Sequence, residues 1–191
     1  MKLYKHLNYE EYVRAQKRKN IKKLKRVFAT NDVIVGTSNY IKKNISNAKF
    51  GICHGVRNGW EVKKFRQNLK IEIIGTEISP TATQFENVIQ WDFHEAKPEW
   101  VNNVDFIYSN SFDHSYDPYL CLDRWMSCIV SFGACFVEWH KTEHNVISPA
   151  DCFSASIDEC KQIFEQKYRI EDIVDYSIDF HKFMFIIKHR N

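Results

Sequence analysis

Two runs decide the fold: Phe50-Gly51-Ile52-Cys53-His54-Gly55-Val56-Arg57-Asn58-Gly59 and Ile71-Glu72-Ile73-Ile74-Gly75-Thr76-Glu77-Ile78. The first begins apolar and becomes glycine-rich just where a helical pattern starts, Asn58 to Asn68. A short apolar run bounded by glycine reads as a strand buried on both faces. The second run reads the same way. A strand, a helix and a strand in so short a span form a βαβ unit. Its strands must be parallel and its crossover right-handed.

Working outward, the rhythm continues. A short helix over Pro80–Phe85 precedes a third strand, Val88–Trp91, and Trp100-Val101 marks a helical link. A fourth strand covers Val104–Ser109, a helix Pro118–Ile129, a fifth strand Ala134–Glu138 and another helix Ile157–Gln166. The end departs from the pattern. Ile170–Ile178 and Phe183–Ile187 are separated by only a few residues. Neighbouring strands joined so briefly run antiparallel. The expectation is an α/β fold, a doubly wound, mostly parallel seven-stranded sheet closed by a C-terminal antiparallel hairpin.

Before this block, residues 9–29 read as an amphipathic helix with Tyr9, Val13, Ile21, Leu24 and Phe28 on its apolar face. Gln16 and Asn20 interrupt that face. If the helix lies across the site, Tyr12, Gln16 and Asn20 can reach in and the helix becomes a lid. A second helix is expected over 32–46. Residues 1–48 thus read as a basic helical cap, and 49–191 as the α/β domain.

The composition agrees. The chain has 191 residues, 44% apolar and 15% aromatic, which suits one packed domain and argues against wholesale disorder. No apolar run is long enough to span a membrane, and no apolar segment of a secretory signal follows Met1. Six cysteines without a CxxC pair point to reduced thiols in a cytoplasmic protein, with no structural zinc. Net charge is +3, but residues 1–30 hold ten basic against two acidic groups, so a basic arm precedes a mildly acidic body.

In open α/β sheets, ligands bind beyond the carboxyl ends of the strands. The glycines at 51, 55 and 59 follow a G-x-x-x-G-x-x-x-G spacing. They let a backbone approach a ligand, or simply make a strand-to-helix turn. Glu77, ending the second strand, can accept hydrogen bonds from both hydroxyls of a ribose, or can cap the helix begun by Ser79-Pro80. Asp92 beside Phe93 suits an adenine, one accepting from its amine and the other stacking on the ring. In order after three strands, these residues point to an adenosine-containing cofactor.

This layout resembles the class I S-adenosylmethionine-dependent methyltransferases, in their small-molecule branch. Residues 51–59 resemble the first motif, Glu77 the ribose carboxylate and Asp92-Phe93 the adenine position. Ser109 to Pro118 is similar to the segment after strand four, and Phe132-Gly133 to a turn before strand five. The final hairpin resembles the antiparallel seventh strand that separates this fold from dehydrogenases. The resemblance implies S-adenosylmethionine as cofactor, S-adenosylhomocysteine as product, and a cofactor-binding set of Gly51, His54, Gly55, Arg57, Gly59, Glu77, Ile78, Asp92, Phe93 and Asn110. It departs in one respect: Lys49-Phe50 stands where an acidic residue usually opens the first motif. Arg57 is then a candidate for the methionine carboxylate, or a solvated residue at a helix start.

The methyl of a sulfonium is already activated, so the protein needs to align a nucleophile and, where that nucleophile is protonated, to supply a base. His114 is the candidate base, with Asp113 orienting it or holding the substrate; His140 stands second. Either histidine can equally be a structural residue. No metal is expected. The acceptor is read as a small molecule, methylated on oxygen or nitrogen. Three alternatives stand beside it: a nucleic-acid methyltransferase using the basic residues 14–26, a non-catalytic S-adenosylmethionine-binding module, and a nicotinamide-dependent dehydrogenase. The glycine spacing and terminal hairpin count against the last.

Overall fold

The computed structural model describes residues 1–140, 147–176 and 182–190. In chain order its elements are β1 (Lys2–Leu3), α1 (Tyr9–Lys22), α2 (Asn31–Asn44), β2 (Phe50–His54), α3 (Trp60–Leu69), β3 (Glu72–Glu77), β4 (Val88–Gln90) and β5 (Val104–Ser109). Then follow α4 (Pro118–Cys128), β6 (Ile129–His140), β7 (Phe153–Ser154), α5 (Ile157–Glu165), β8 (Arg169–Tyr176) and β9 (Lys182–Lys188). Short 3-10 turns cover Pro80–Gln84, Pro98–Trp100 and Phe112–His114.

Seven strands make one sheet in the order β4-β3-β2-β5-β6-β9-β8. β2 to β6 pair in parallel, and β9 runs antiparallel between β6 and β8. The doubly wound sheet with its terminal antiparallel pairing is therefore as expected. Ile178, the expected end of β8, lies outside the described residues. A two-stranded sheet, β1 with β7, was not expected, because two residues carry no periodic signal.

Alternation along the strands builds a core on each face of the sheet. Ile52, Ile107, Cys135, Val137, Phe185 and Ile187 face α4 and α5, packing on Trp125, Met126, Ile163 and Phe164. Cys53, Phe106, Tyr108, Phe136, Met184 and Ile186 face α2 and α3, packing on Ile34, Ile41, Val62 and Phe65. Hence α2 joins the helical layer, while α1 crosses the carboxyl ends of the strands. All six cysteines are buried and unpaired. Burial pushes every thiol up in pKa, that of Cys128 to about 11 and that of Cys152 to about 12.

Two details fix the central strand. The Asp105 carboxylate accepts from the backbone N–H of Lys49 and Phe50 at 2.6 and 2.9 Å, clamping the start of β2 onto β5. Gly51 lies in mid-strand under the ring of Phe106, where a Cβ would stand 2.3 Å from the ring carbons. Phe132-Gly133, expected as a turn, sits inside β6 instead. Strand β6 begins at Ile129, where the ladder with β5 shifts register. Gly133 is required there because a Cβ would come 2.4 Å from the Asp105 carbonyl oxygen.

The Gly51 packing makes a specific demand on the chain. Gly51→Ala should cost about 1–3 kcal/mol, the range for overpacking a filled core, read as a lowered urea midpoint. Wild-type stability in that variant would show that Phe106 yields freely.

Candidate functional site

The tip of β2 is sewn to the tip of β3. The N–H groups of Gly55 and Val56 both donate to Thr76 O, at 2.9 and 3.1 Å, and Arg57 N–H donates to Glu77 Oε2 at 3.1 Å. Glu77 Oε1 accepts from Ser79 N–H at 3.0 Å, but the cap of the following 3-10 turn is Ser79 itself, whose Oγ accepts from Thr81 N–H. Each oxygen retains acceptor capacity after one such bond. Gly55 has φ of 72°, and a Cβ on it would meet the Ser111 side chain at 2.6 Å. Arg57 also has positive φ, 49°, a conformation that an L side chain adopts under constraint.

A cleft opens above this loop with about 450 Å³ of space free of atoms, part of it open to solvent. Gly55, Arg57, Glu77, Ile78, Asp92, Phe93, Ser111 and His114 line it from the sheet side. Tyr12, Gln16, Lys19 and Asn20 line it from α1. The helix ends at Lys22 rather than near residue 29. Its inward face is the polar stripe Tyr12, Gln16 and Asn20, not the expected apolar set; Tyr9 and Ile21 are more than half exposed. The reason is local. The side chains beneath α1 are themselves polar, so buried donors and acceptors decide which face docks. Asn20 Oδ1 accepts from Thr81 Oγ1 at 2.9 Å, and Tyr9 Oη donates to Asp92 Oδ2 at 2.7 Å.

At one end, Asp92 Oδ1 also takes the Nδ1 and backbone N–H of His94, at 2.7 and 2.9 Å. Burial pushes its carboxyl up, yet the hydrogen bonds from His94 and Tyr9 outweigh this and hold its pKa below the usual value. Phe93 is buried beside it, its ring edge-on to Trp125.

At the other end stands His114. Gln16 Nε2 donates to Ala150 O at 2.8 Å, which leaves Gln16 Oε1 to accept from His114 Nδ1 at 3.0 Å. This fixes the hydrogen on Nδ1 and the lone pair of the neutral ring on Nε2. Nε2 lies 3.8 Å from both Asp113 and Asp151. The three residues could jointly hold a cation; Lys19 already pairs with Asp151.

The remaining expected residues are not part of the cleft lining. Gly51 packs under Phe106, and Gly59, at φ of 70°, caps α3. His54 is buried, stacked on Trp125 at 5.0 Å and bonded through Nδ1 to Thr76 Oγ1 at 2.7 Å; burial drops its pKa to about 3. Asn110 donates to Glu61 Oε1 at 3.4 Å. His140 ends β6.

Glu61, in the first turn of α3, was missed by the sequence reading. It is 5% exposed, and its Oε2 has no hydrogen-bond partner. Lys19 and Asp151 were missed too; nothing local in the sequence marks a residue that reaches the cleft from a distant loop.

No family model matches the chain, and no curated protein matches it in sequence. Solved structures do resemble it in fold. One is the Burkholderia thailandensis 1,6-didemethyltoxoflavin-N1-methyltransferase with bound 1,6-didemethyltoxoflavin and S-adenosylhomocysteine. Its TM-score is 0.76 at 9% identity, over 98% of this chain and 93% of that one. A SAM-dependent methyltransferase from Aquifex aeolicus gives 0.63 at 16% identity, over 87% and 96%. A pericyclic reaction enzyme gives 0.67 at 8% identity, over 87% and 50%, so the fold carries other chemistry too.

Burial pushes the Glu61 carboxyl up to about 7 from an ordinary value of 4.5. The folded chain therefore keeps a proton that the unfolded chain releases, and stability falls as pH rises through that interval. Glu61→Gln should gain roughly 1–3 kcal/mol over the wild type between about pH 4 and pH 8, read from urea midpoints. A pH-independent difference would disprove the shift.

Proposed function

The fold shared with S-adenosylmethionine-dependent methyltransferases is the premise here, and we propose that this chain is one of them. On this reading it moves a methyl group to an oxygen or nitrogen of a small-molecule acceptor. One observation carries the proposal: Glu77, Asp92 and the Gly55 loop, expected from separate segments of sequence, line one cleft at the strand tips.

The residues present fit the cofactor. Glu77 has capacity left for the ribose hydroxyls, and Ile78 and Phe93 offer apolar surface to an adenine beside Asp92. Gly55 leaves the backbone bare where a Cβ would clash. The guanidinium of Arg57 has a buried Nε without a partner, which suits a carboxylate. The cofactor supplies an activated methyl on sulfur. The chain's own part is alignment, exclusion of water and a base. His114 Nε2 can accept a proton from the acceptor, with Gln16 holding the tautomer and Asp113 beside the ring to stabilise the imidazolium. Helix α1 covers the cleft and narrows it, which favours a compact acceptor. Of residues 1–48, expected as a cap, α1 is the part that covers the cleft in this reading, while α2 packs on the sheet.

A nucleic-acid acceptor is the second reading. It is favoured by the outward face of the cap, where Arg14, Arg18, Lys22, Lys25 and Arg26 are exposed. Such a role would show as RNA binding that weakens steeply with salt in a mobility shift. Among the described residues no helix is long and apolar enough to cross a membrane.

His114→Ala should lower turnover by about a hundredfold or more, the usual contribution of a general base, while cofactor affinity in calorimetry stays unchanged. Glu77→Ala should do the reverse, weakening cofactor binding first. Unchanged turnover in the His114 variant would refute its role.

A further inference from the structure

Helix α1 gives the cleft only one of its faces. With Tyr12, Gln16 and Asn20 turned inward, the helical period puts Arg14, Arg18, Ile21 and Lys22 on the opposite side, and all four are exposed. The chain continues through Lys25, Arg26, Val27 and Phe28, exposed as well. Between Tyr12 and Asn31 stand eight basic residues and no acidic one. Lys19 pairs with Asp151. Among the described residues, no carboxylate forms an ion pair with Arg14, Arg18, Lys22, Lys25 or Arg26. A run of like charge left without counter-ions attracts a polyanion or an anionic surface.

The apolar members of this face decide between the two. Ile21 is 57% exposed, Val27 43% and Phe28 44%. Single exposed apolar side chains are ordinary, but here three fall within eight residues, interleaved with cations. Their backbone is held from beneath. Asn58 Nδ2 donates to Leu24 O and Arg26 O at 2.9 and 3.2 Å, and Lys182 Nζ donates to Phe28 O at 2.7 Å. The segment is thereby tied to the loop before α3 and to β9, with Val27 left to solvent. The Phe28 ring has the Lys23 ammonium 5.6 Å and the Arg57 guanidinium 4.8 Å from its centroid. A phosphate backbone would use the cations but gains nothing from the aliphatic Ile21 and Val27. The boundary of a bilayer uses both, headgroups for the cations and acyl chains for the apolar groups.

We propose that this outer face of the cap, residues 14–28, docks on an anionic lipid surface. Ile21 and Val27 enter the headgroup layer, and the five unpaired basic side chains hold the headgroups. The attachment lies in the plane of the surface and spans nothing. It goes beyond the methyl-transfer reading and does not rest on it. The same cations favour the nucleic-acid reading, and the aliphatic side chains separate the two.

Co-sedimentation of the full chain with vesicles tests the assignment. Phosphatidylcholine vesicles with about a third phosphatidylserine should bind it at least about tenfold tighter than phosphatidylcholine alone, and raised salt should weaken that binding. The double variant Arg18→Glu with Lys22→Glu should lose at least about tenfold in affinity for the mixed vesicles. Ile21→Ser, which keeps every charge, should also weaken vesicle binding while leaving the urea midpoint and any mobility shift with single-stranded RNA as in the wild type. Equal binding to the two kinds of vesicle, or binding to neither, overturns the proposal. So does binding to the mixed vesicles that Ile21→Ser leaves unchanged. RNA binding without vesicle binding assigns the face to nucleic acid and overturns it too.

Discussion

Three backbone N–H groups hold the cleft in place. Gly55 and Val56 donate to the last-but-one carbonyl of the neighbouring strand, and Arg57 donates to the carboxylate that ends it. The loop after the central strand is thereby drawn sideways over β3, away from the space above β2 and β5. The turn needs a left-handed residue at 55, where a side chain would strike Ser111. Everything functional follows from this bend. It exposes the strand tips, orients Glu77 and leads through Gly59 into α3.

Helix α1 then makes the cleft an interior. The helix docks through polar contacts, Tyr9 to Asp92, Gln16 to His114 and Ala150, Asn20 to Thr81, and Lys19 to Asp151, and through the buried ring of Tyr12, which packs against His94 and Tyr116. Each hydrogen bond is worth only about 1 kcal/mol net in water, so the ring of Tyr12 carries a real share of the seam. The following segment is anchored more firmly. Lys182, buried and paired with Glu138, donates to Phe28 O at 2.7 Å, so the far end of the cap is tied to the last strand.

The sheet was legible because its central strands are short, nearly continuous apolar runs alternating with helical patterns, and the short link before Phe183 dictated the antiparallel ending. The meeting of Glu77 and Asp92 in one cleft was legible because each falls directly after such a strand. Three things were not. The apolar face read for α1 is not the one that docks; Tyr12, Gln16 and Asn20, read as able to reach inward, are the residues that do, drawn there by polar partners that periodicity cannot see. Phe132-Gly133 resembles a turn, but the constraint on Gly133 is the closeness of the Asp105 carbonyl in another strand. Glu61 carries no signal in the sequence; only its burial, with Oε2 unpartnered, sets it apart.

The six cysteines have a consequence of their own. Every sulfur is buried, in a strand or a helix or, for Cys152, in the segment before β7, and burial favours the protonated thiol over the reactive thiolate. An alkylating reagent can reach them only during excursions that part those layers. Mass-resolved labelling would then act as a stopwatch, sorting local breathing near the outer helices from complete loss of the native state.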